Sequence, residues 1–411
     1  MKKSILAERK VGVFMELVRF TPQAFDEAAF APFTEAEAQK ARDFHAGFAQ
    51  YQETPLTSLP GLAQALGVSS VAVKDESFRF GLNAFKVLGG SYALGRYIAQ
   101  KLGEEIENLP AEKILSDAVR EKLGQVTFVT ATDGNHGRGV AWTANRLGQK
   151  SVVYMPKGSA AERLENIRAA GADASITDLN YDDAVRLANR HAEEYGWVMV
   201  QDTAWEGYTD IPRWIMQGYT TMGWEIVRQL KEKPTHVFLQ AGVGSMAGAM
   251  AGFFRNYYGE DCPFITIVEP ERANCLFRTA KANDGTIHAV TGDMNTIMAG
   301  LACGEPCTIG WDVLKRCASA FLSVPESVAA DGMRILAAPC KGDPAVVSGE
   351  SGAAPLGAAA NILLDEELAE IKAALGLNGN SRLLFISTEG DTDRENWRNV
   401  VWRGKYPGKQ A

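Results

Sequence analysis

The first 261 residues of this 411-residue chain contain no cysteine; all six (Cys262, Cys275, Cys303, Cys307, Cys317 and Cys340) lie beyond them. A disulfide framework is thereby excluded for most of the chain. Only Cys303 and Cys307 stand at metal-ligand spacing, no second pair follows, and the five histidines are scattered, so no metal site is expected. Buried reduced thiols are the expectation, and spacing leaves a Cys275–Cys303 disulfide open. Long apolar runs are missing too, which excludes a membrane-spanning helix. Met1 to Lys10 begins with lysines but lacks the apolar stretch of a signal peptide. Positive charge is short: 42 Lys and Arg against 50 Asp and Glu leave a net charge of −8, with no basic run. Nucleic acid and membrane surfaces are therefore not expected as partners. The chain reads as soluble and cytoplasmic.

What is present is an ordinary globular composition, 46% hydrophobic and 22% charged, at a length that supports two domains. Short apolar runs alternate with amphipathic helical stretches. Strands are predicted at Val71 to Val73 and over 126–130, 151–155, 175–177, 197–200, 237–239, 264–268 and 382–387. Helices are predicted over 135–147, 160–170, 182–195, 211–230 and 245–258. This alternation predicts an α/β fold of two doubly wound domains with mainly parallel sheets, ligands binding at the carboxyl ends of strands. Beyond Pro270 the pattern loosens into mixed helices and glycine-rich loops, including 300–306 and 348–357. Residues 1–50 carry charged helical patterns and no diagnostic motif.

Four constellations carry chemistry. Lys86 stands in Phe85-Lys86-Val87-Leu88, after a Gly81-Leu82-Asn83 turn and before Gly89-Gly90-Ser91 opens a helix. Apolar neighbours and the positive end of a helix both disfavour its ammonium form, and an imine-forming lysine needs a neutral amine. The bland alternative is a snorkelling surface lysine. Next, Thr132-Asp133-Gly134-Asn135-His136-Gly137 falls where a strand ends and a helix begins. Asn135 there offers an amide over the sheet edge, although an Asx-capped helix start reads the same way. Gln240-Ala241-Gly242-Val243-Gly244-Ser245-Met246 is again strand, glycine turn and helix. Its backbone amides and the Ser245 hydroxyl suit a phosphate, and the full dinucleotide glycine pattern is missing. Last, Ser387-Thr388-Glu389-Gly390-Asp391 closes a strand and offers a neutral hydroxyl to a ring nitrogen, or is a simple polar turn.

Taken in order over roughly residues 50–395, these four motifs resemble the fold-type II family of pyridoxal-phosphate enzymes, the group of tryptophan synthase β, threonine dehydratase and serine dehydratase. The resemblance implies that Lys86 holds the cofactor covalently, that Asn135 bonds its ring hydroxyl, and that Gly242, Val243, Gly244, Ser245 and Met246 cradle its phosphate. Ser387 would face the ring nitrogen, with Thr388 as the close alternative. A large cofactor-binding domain of residues 1–90 plus 232–411, a smaller inserted α/β domain of 91–231, and a homodimer are implied as well.

Dehydratases of that family usually carry Ser-Phe-Lys, then Arg-Gly, and a small residue before the glycine of the asparagine loop. Here Ala84, Leu88-Gly89 and Asp133 stand in those places. Asn83 to Gly90, Gln201 to Tyr208 and Met298 to Pro306 instead resemble members that eliminate ammonia from 2,3-diaminopropionate. A lost hydroxyl and a gained carboxylate fit a substrate with a second ammonium group. The implied reaction is α,β-elimination from the D and L isomers, giving pyruvate and two ammonia. Lys86 would be the base on one face, with Asp133 and Asp202 as bases on the other or as proton donors to the leaving amine. Asp202 reads equally as a capping or turn aspartate. The rivals are a serine or threonine dehydratase of the same family and, in another class, a non-catalytic small-molecule-binding module.

Overall fold

The computed structural model describes residues 15–132 and 134–408. Among them eleven strands are formed: β1 Glu16–Arg19, β2 Leu56–Ser58, β3 Ser70–Asp75, β4 Thr127–Ala131, β5 Lys150–Met155, β6 Asp173–Ile176, β7 Val198–Met199, β8 His236–Gln240, β9 Phe264–Pro270, β10 Ala320–Val324 and β11 Arg382–Ser387. Seven make one sheet in the order β1-β10-β9-β8-β11-β3-β2, and four make another in the order β6-β5-β4-β7. The edge strands β1 and β2 run antiparallel to their neighbours, and every other pairing is parallel.

Both faces of the large sheet are buried, as a parallel sheet under helices requires. Leu239, Ile265, Ile267, Phe321, Leu384 and Ile386 enter one apolar core. Phe238, Val268, Leu322, Leu383 and Phe385 enter the other, on the opposite face, through the two-residue alternation of strand side chains. Double burial explains why these strands read as continuous apolar runs. The predicted strands and helices between residues 70 and 268 lie within a few residues of those observed.

One segment departs from its reading. The 348–357 stretch was expected to be a glycine-rich loop, but it opens the helix Glu350–Leu364. Its glycines serve close packing: a Cβ on Gly357 would stand 1.9 Å from the Val328 carbonyl oxygen of the neighbouring helix Glu326–Ala337. Within residues 1–50, the charged pattern forms the helix Glu35–Ala46, capped by the Thr34 hydroxyl, whereas residues 1–14 lie outside the described residues.

The charged run after β3 is not a surface feature. Lys74, Glu76, Arg79 and Glu225 are all fully buried. Arg79 bonds Glu76 and Glu225, each at 2.8 Å, and Lys74 Nζ lies 2.6 Å from Glu225. Buried charges persist only when paired and hydrogen-bonded, and here each has an opposite partner. The cluster ties the end of β3 to the long helix Asp210–Gln229, just ahead of Lys86. Among the described residues, no helix is long and apolar enough to cross a membrane.

Candidate active site

A cavity of about 890 Å³ opens at the carboxyl ends of strands from both sheets. Lys86, Asn135, Asp202, Gly242 to Met246, Thr388, Glu389 and Glu350 line it. Three of the four sequence constellations therefore meet here directly, and the fourth meets it through Thr388.

Lys86 directly precedes the helix Val87–Leu102. Its backbone is stitched to the end of β11: Phe85 N–H donates to the Thr388 carbonyl at 3.0 Å, and Ala84 pairs with Glu389. The helix Asn135–Arg146 lies directly against it, because Gly139 leaves room where a Cβ would stand 2.8 Å from Val87 Cα. The surroundings of Lys86 correct the apolar picture. Its ammonium group pairs with Asp202, with the Lys86 side chain 19% and that of Asp202 5% exposed. An opposite charge in contact counters both the desolvation and the helix-end effects that the sequence suggested.

Burial alone would push the Asp202 carboxyl up. The charges of Lys86 and His136, and the hydrogen bond from Lys86, outweigh it and hold the group at about 2. Its other oxygen accepts from the Tyr181 hydroxyl and Gln201 Nε2, each at 3.4 Å. Ser245 Oγ donates to the Asp202 backbone carbonyl, which joins this aspartate to the glycine turn.

That turn links β8 to the helix Ser245–Tyr258. Gly244 has φ +94°, the left-handed region that glycine occupies without strain. A Cβ on Gly242 would lie 3.2 Å from Cys303 Sγ, the Gly300 carbonyl oxygen and Leu301 Cα. Cys307 N–H fixes the loop by donating to the Val243 carbonyl at 2.7 Å. Ser245, Met246 and Ala247 form the first turn of a 14-residue helix, where N–H groups have no acceptor within the helix, and they line the cavity. Free N–H groups gathered at a helix N-terminus can take an anion.

At the end of β11 the two candidate hydroxyls part, because successive strand side chains point to opposite faces. Thr388 lines the cavity and accepts from Gln240 Nε2 at 2.8 Å. Ser387 is not among the lining residues; its hydroxyl donates to Ser348 Oγ at 2.8 Å. Asn135 opens its helix and donates from Nδ2 to Glu389 Oε2. Asp133 lies outside the described residues. Sequence reasoning passed over Glu350 and Glu389. Glu350 is the first residue of the helix Glu350–Leu364, bonded by Asn396, and its carboxyl is pushed up to about 7 by burial and then by the charge of Glu389. Neither contact has a local signal, since Asn135 lies 254 residues from Glu389 and Asn396 lies 46 from Glu350.

An amine-bearing lysine, an open helix N-terminus that can take a dianion, and a hydroxyl at a strand end fit an aldehyde-bearing, phosphorylated ring cofactor. The comparisons agree. The family model described as "Pyridoxal-phosphate dependent enzyme" matches residues 48–379. The diaminopropionate ammonia-lyase of Escherichia coli (strain K12) is 52% identical over 400 residues, covering 96% of this chain and 99% of the relative. The holo structure of the Escherichia coli diaminopropionate ammonia-lyase superposes with a TM-score of 0.89 at 47% identity, covering 96% of this chain and 98% of that one. The same enzyme solved with an aminoacrylate–pyridoxal phosphate reaction intermediate gives 0.87 at 46% identity, covering 96% and 99%. Pyridoxal phosphate is the cofactor of this chain, which is an α/β enzyme of fold type II and belongs to the diaminopropionate ammonia-lyase family.

Proposed function

We propose that the enzyme removes both nitrogens of 2,3-diaminopropionate, from its D and L isomers, by α,β-elimination to pyruvate and two ammonia. Lys86 would hold the cofactor, the turn Gly242 to Met246 its phosphate, Asn135 its ring hydroxyl and Thr388 its ring nitrogen. Pyridoxal phosphate, when bound, supplies the electron sink that acidifies the α-proton of the attached amino acid. The Lys86 amine, when not holding the cofactor, would be the base that takes that proton on one face. Asp202, ionised and in contact, stabilises the ammonium that Lys86 then becomes and places it for transfer to the departing amine. Asp133 is proposed as the base on the opposite face on sequence grounds alone. A neutral hydroxyl such as that of Thr388 cannot hold a full positive charge on the ring nitrogen, which favours elimination over transamination.

The ion pair of Lys86 with Asp202, facing the glycine cradle across one cavity, is the observation that carries this reading. The substrate adds a second ammonium group, and Asp178, Asp202, Asp293, Glu350, Glu389 and Asp393 bring carboxylates to the cavity wall against Lys86, Lys157 and Arg163. The proposed division into residues 1–90 with 232–411 and an inserted 91–231 is supported by the confinement of β4 to β7 to their own sheet. A cytoplasmic setting is supported by the free thiols of Cys262, Cys275, Cys307, Cys317 and Cys340, and a homodimer is the arrangement expected of the fold type. The test is pyruvate and ammonia release from D- and L-2,3-diaminopropionate beside D- and L-serine and L-threonine. Two ammonia per pyruvate, with diaminopropionate well ahead, is the expected result. Faster turnover of a hydroxy amino acid would give the dehydratase reading instead.

A further inference from the structure

Glu389 takes no step in the reaction described above, yet it joins Asn135, the segment before Lys86 and the start of the helix Glu350–Leu364. Its side chain is buried, and Oε2 accepts from Asn135 Nδ2 and, at 3.3 Å, from Thr392 Oγ1. Its backbone pairs with Ala84, two residues before Lys86. Its carbonyl accepts from Gly349 N–H at 2.8 Å, where the helix Glu350–Leu364 begins. Oε1 is different: it is buried, has no hydrogen-bond partner among the described residues, and belongs to a side chain that lines the cavity. A buried carboxylate oxygen without a donor is costly, so it marks where a donor of a bound ligand belongs.

Two donors could meet it, the ring hydroxyl of the cofactor or the second ammonium of the substrate. Position favours the ring, because Glu389 follows Thr388 directly and bonds Asn135. We propose that Glu389 is a positioning residue for the cofactor, fixing the Asn135 amide and setting negative charge against the ring edge. This rests on the assignment of Asn135 and Thr388 to the ring. The other charged groups at this wall are Glu350 from its helix, Arg163 from the helix Ala161–Ala169, His136 beside Asn135, and Asp393. The Glu350 carboxyl is pushed up by burial and then by its carboxylate neighbour Glu389.

A nearby anion favours the protonated form of a titrating group. The experiment is a pH titration of the absorbance of the holoenzyme without substrate, comparing the unsubstituted enzyme with Glu389→Gln and Glu389→Asp. For Glu389→Gln the midpoint should fall by about one pH unit or more, as expected when an adjacent opposite charge is removed. Cofactor should also dissociate more readily, while the ratio of KM for diaminopropionate to KM for D-serine stays put. Glu389→Asp keeps the charge one methylene further back, so its midpoint should fall between the other two. An unmoved midpoint in Glu389→Gln overturns the proposal, and if KM for diaminopropionate alone rises, Oε1 serves the substrate ammonium. Equal midpoints for the two variants also overturn it, since charge would not be the agent. Should Glu389→Gln yield no folded holoenzyme, the aspartate variant decides: a lowered midpoint supports the proposal and an unmoved one overturns it.

Discussion

Replacing Asp202 with asparagine removes the charge against Lys86 at nearly constant shape. Two unit charges about 4 Å apart at an effective dielectric of about 20 attract by about 4 kcal/mol, an upper figure here because the Lys86 side chain is 19% exposed. A net figure follows from Asp202 itself. Its carboxyl is held at about 2 against an ordinary 3.8, after the cost of burial has been met. At about 1.4 kcal/mol for each pKa unit, the folded state favours the charged form by about 2 kcal/mol. A lowered acid contributes stability above its unfolded value and loses it as pH falls through the folded one. Denaturant unfolding of the cofactor-free protein should therefore show Asp202→Asn about 2 kcal/mol less stable at pH 7. That difference should shrink from about pH 4 downward and vanish near pH 2. In the holoenzyme, kcat for pyruvate release should fall by about 10² to 10⁴, the usual range for losing a positioned proton-transfer group. Equal stability at pH 7, or a deficit that persists unchanged at pH 3, would refute the pairing as its cause.

The buried charge cluster gives a second prediction. Glu225→Gln leaves Lys74 and Arg79 buried beside one remaining carboxylate, Glu76, and should lower unfolding stability by roughly 3–5 kcal/mol, measured by denaturant titration. A loss below about 1 kcal/mol would mean that the cations find other compensation. In the phosphate turn, Gly244→Ala forces a side chain into φ +94° and brings its Cβ to 3.0 Å from Leu276 Cδ1. The strain, about 1–2 kcal/mol, should raise the cofactor dissociation constant roughly 5- to 30-fold in equilibrium dialysis, and unchanged retention would place the phosphate elsewhere.

Much of the fold was legible because its central strands are buried on both faces and its helices are amphipathic, so the two periodicities stood apart between residues 70 and 268. The helix Glu350–Leu364 was not. Its serines, glycines and alanines read as a loop, whereas they are small so that the helix Glu326–Ala337 can approach its backbone, an effect visible only with the partner in place. The burial of Lys74, Glu76 and Arg79 was hidden for the same reason: Glu225, the residue that satisfies Arg79 and Lys74, comes about 150 residues later, toward the far end of a helix.

The lining of the cavity was legible where glycine marks a strand-to-helix turn, at Asn135 and at Gly242 to Met246, and at Lys86 by its place before a helix, though not by the apolar surroundings read for it. The contacts between those turns were not. Lys86 meets Asp202 across 116 residues and Asn135 meets Glu389 across 254, separations at which no local pattern operates. That Thr388 and not Ser387 lines the cavity depends on the register of β11, since a shift of one residue exchanges the face that looks into it.

The central claim is that Lys86 carries the cofactor. Hydride reduction of the holoenzyme, which fixes the cofactor on the lysine that holds it, followed by peptide mapping by mass spectrometry, tests this directly. The label is predicted on the peptide containing Lys86 and on no other. A second lysine, Lys157, also lines the cavity, and label there would contradict the assignment of Lys86 and the chemistry built on its pairing with Asp202.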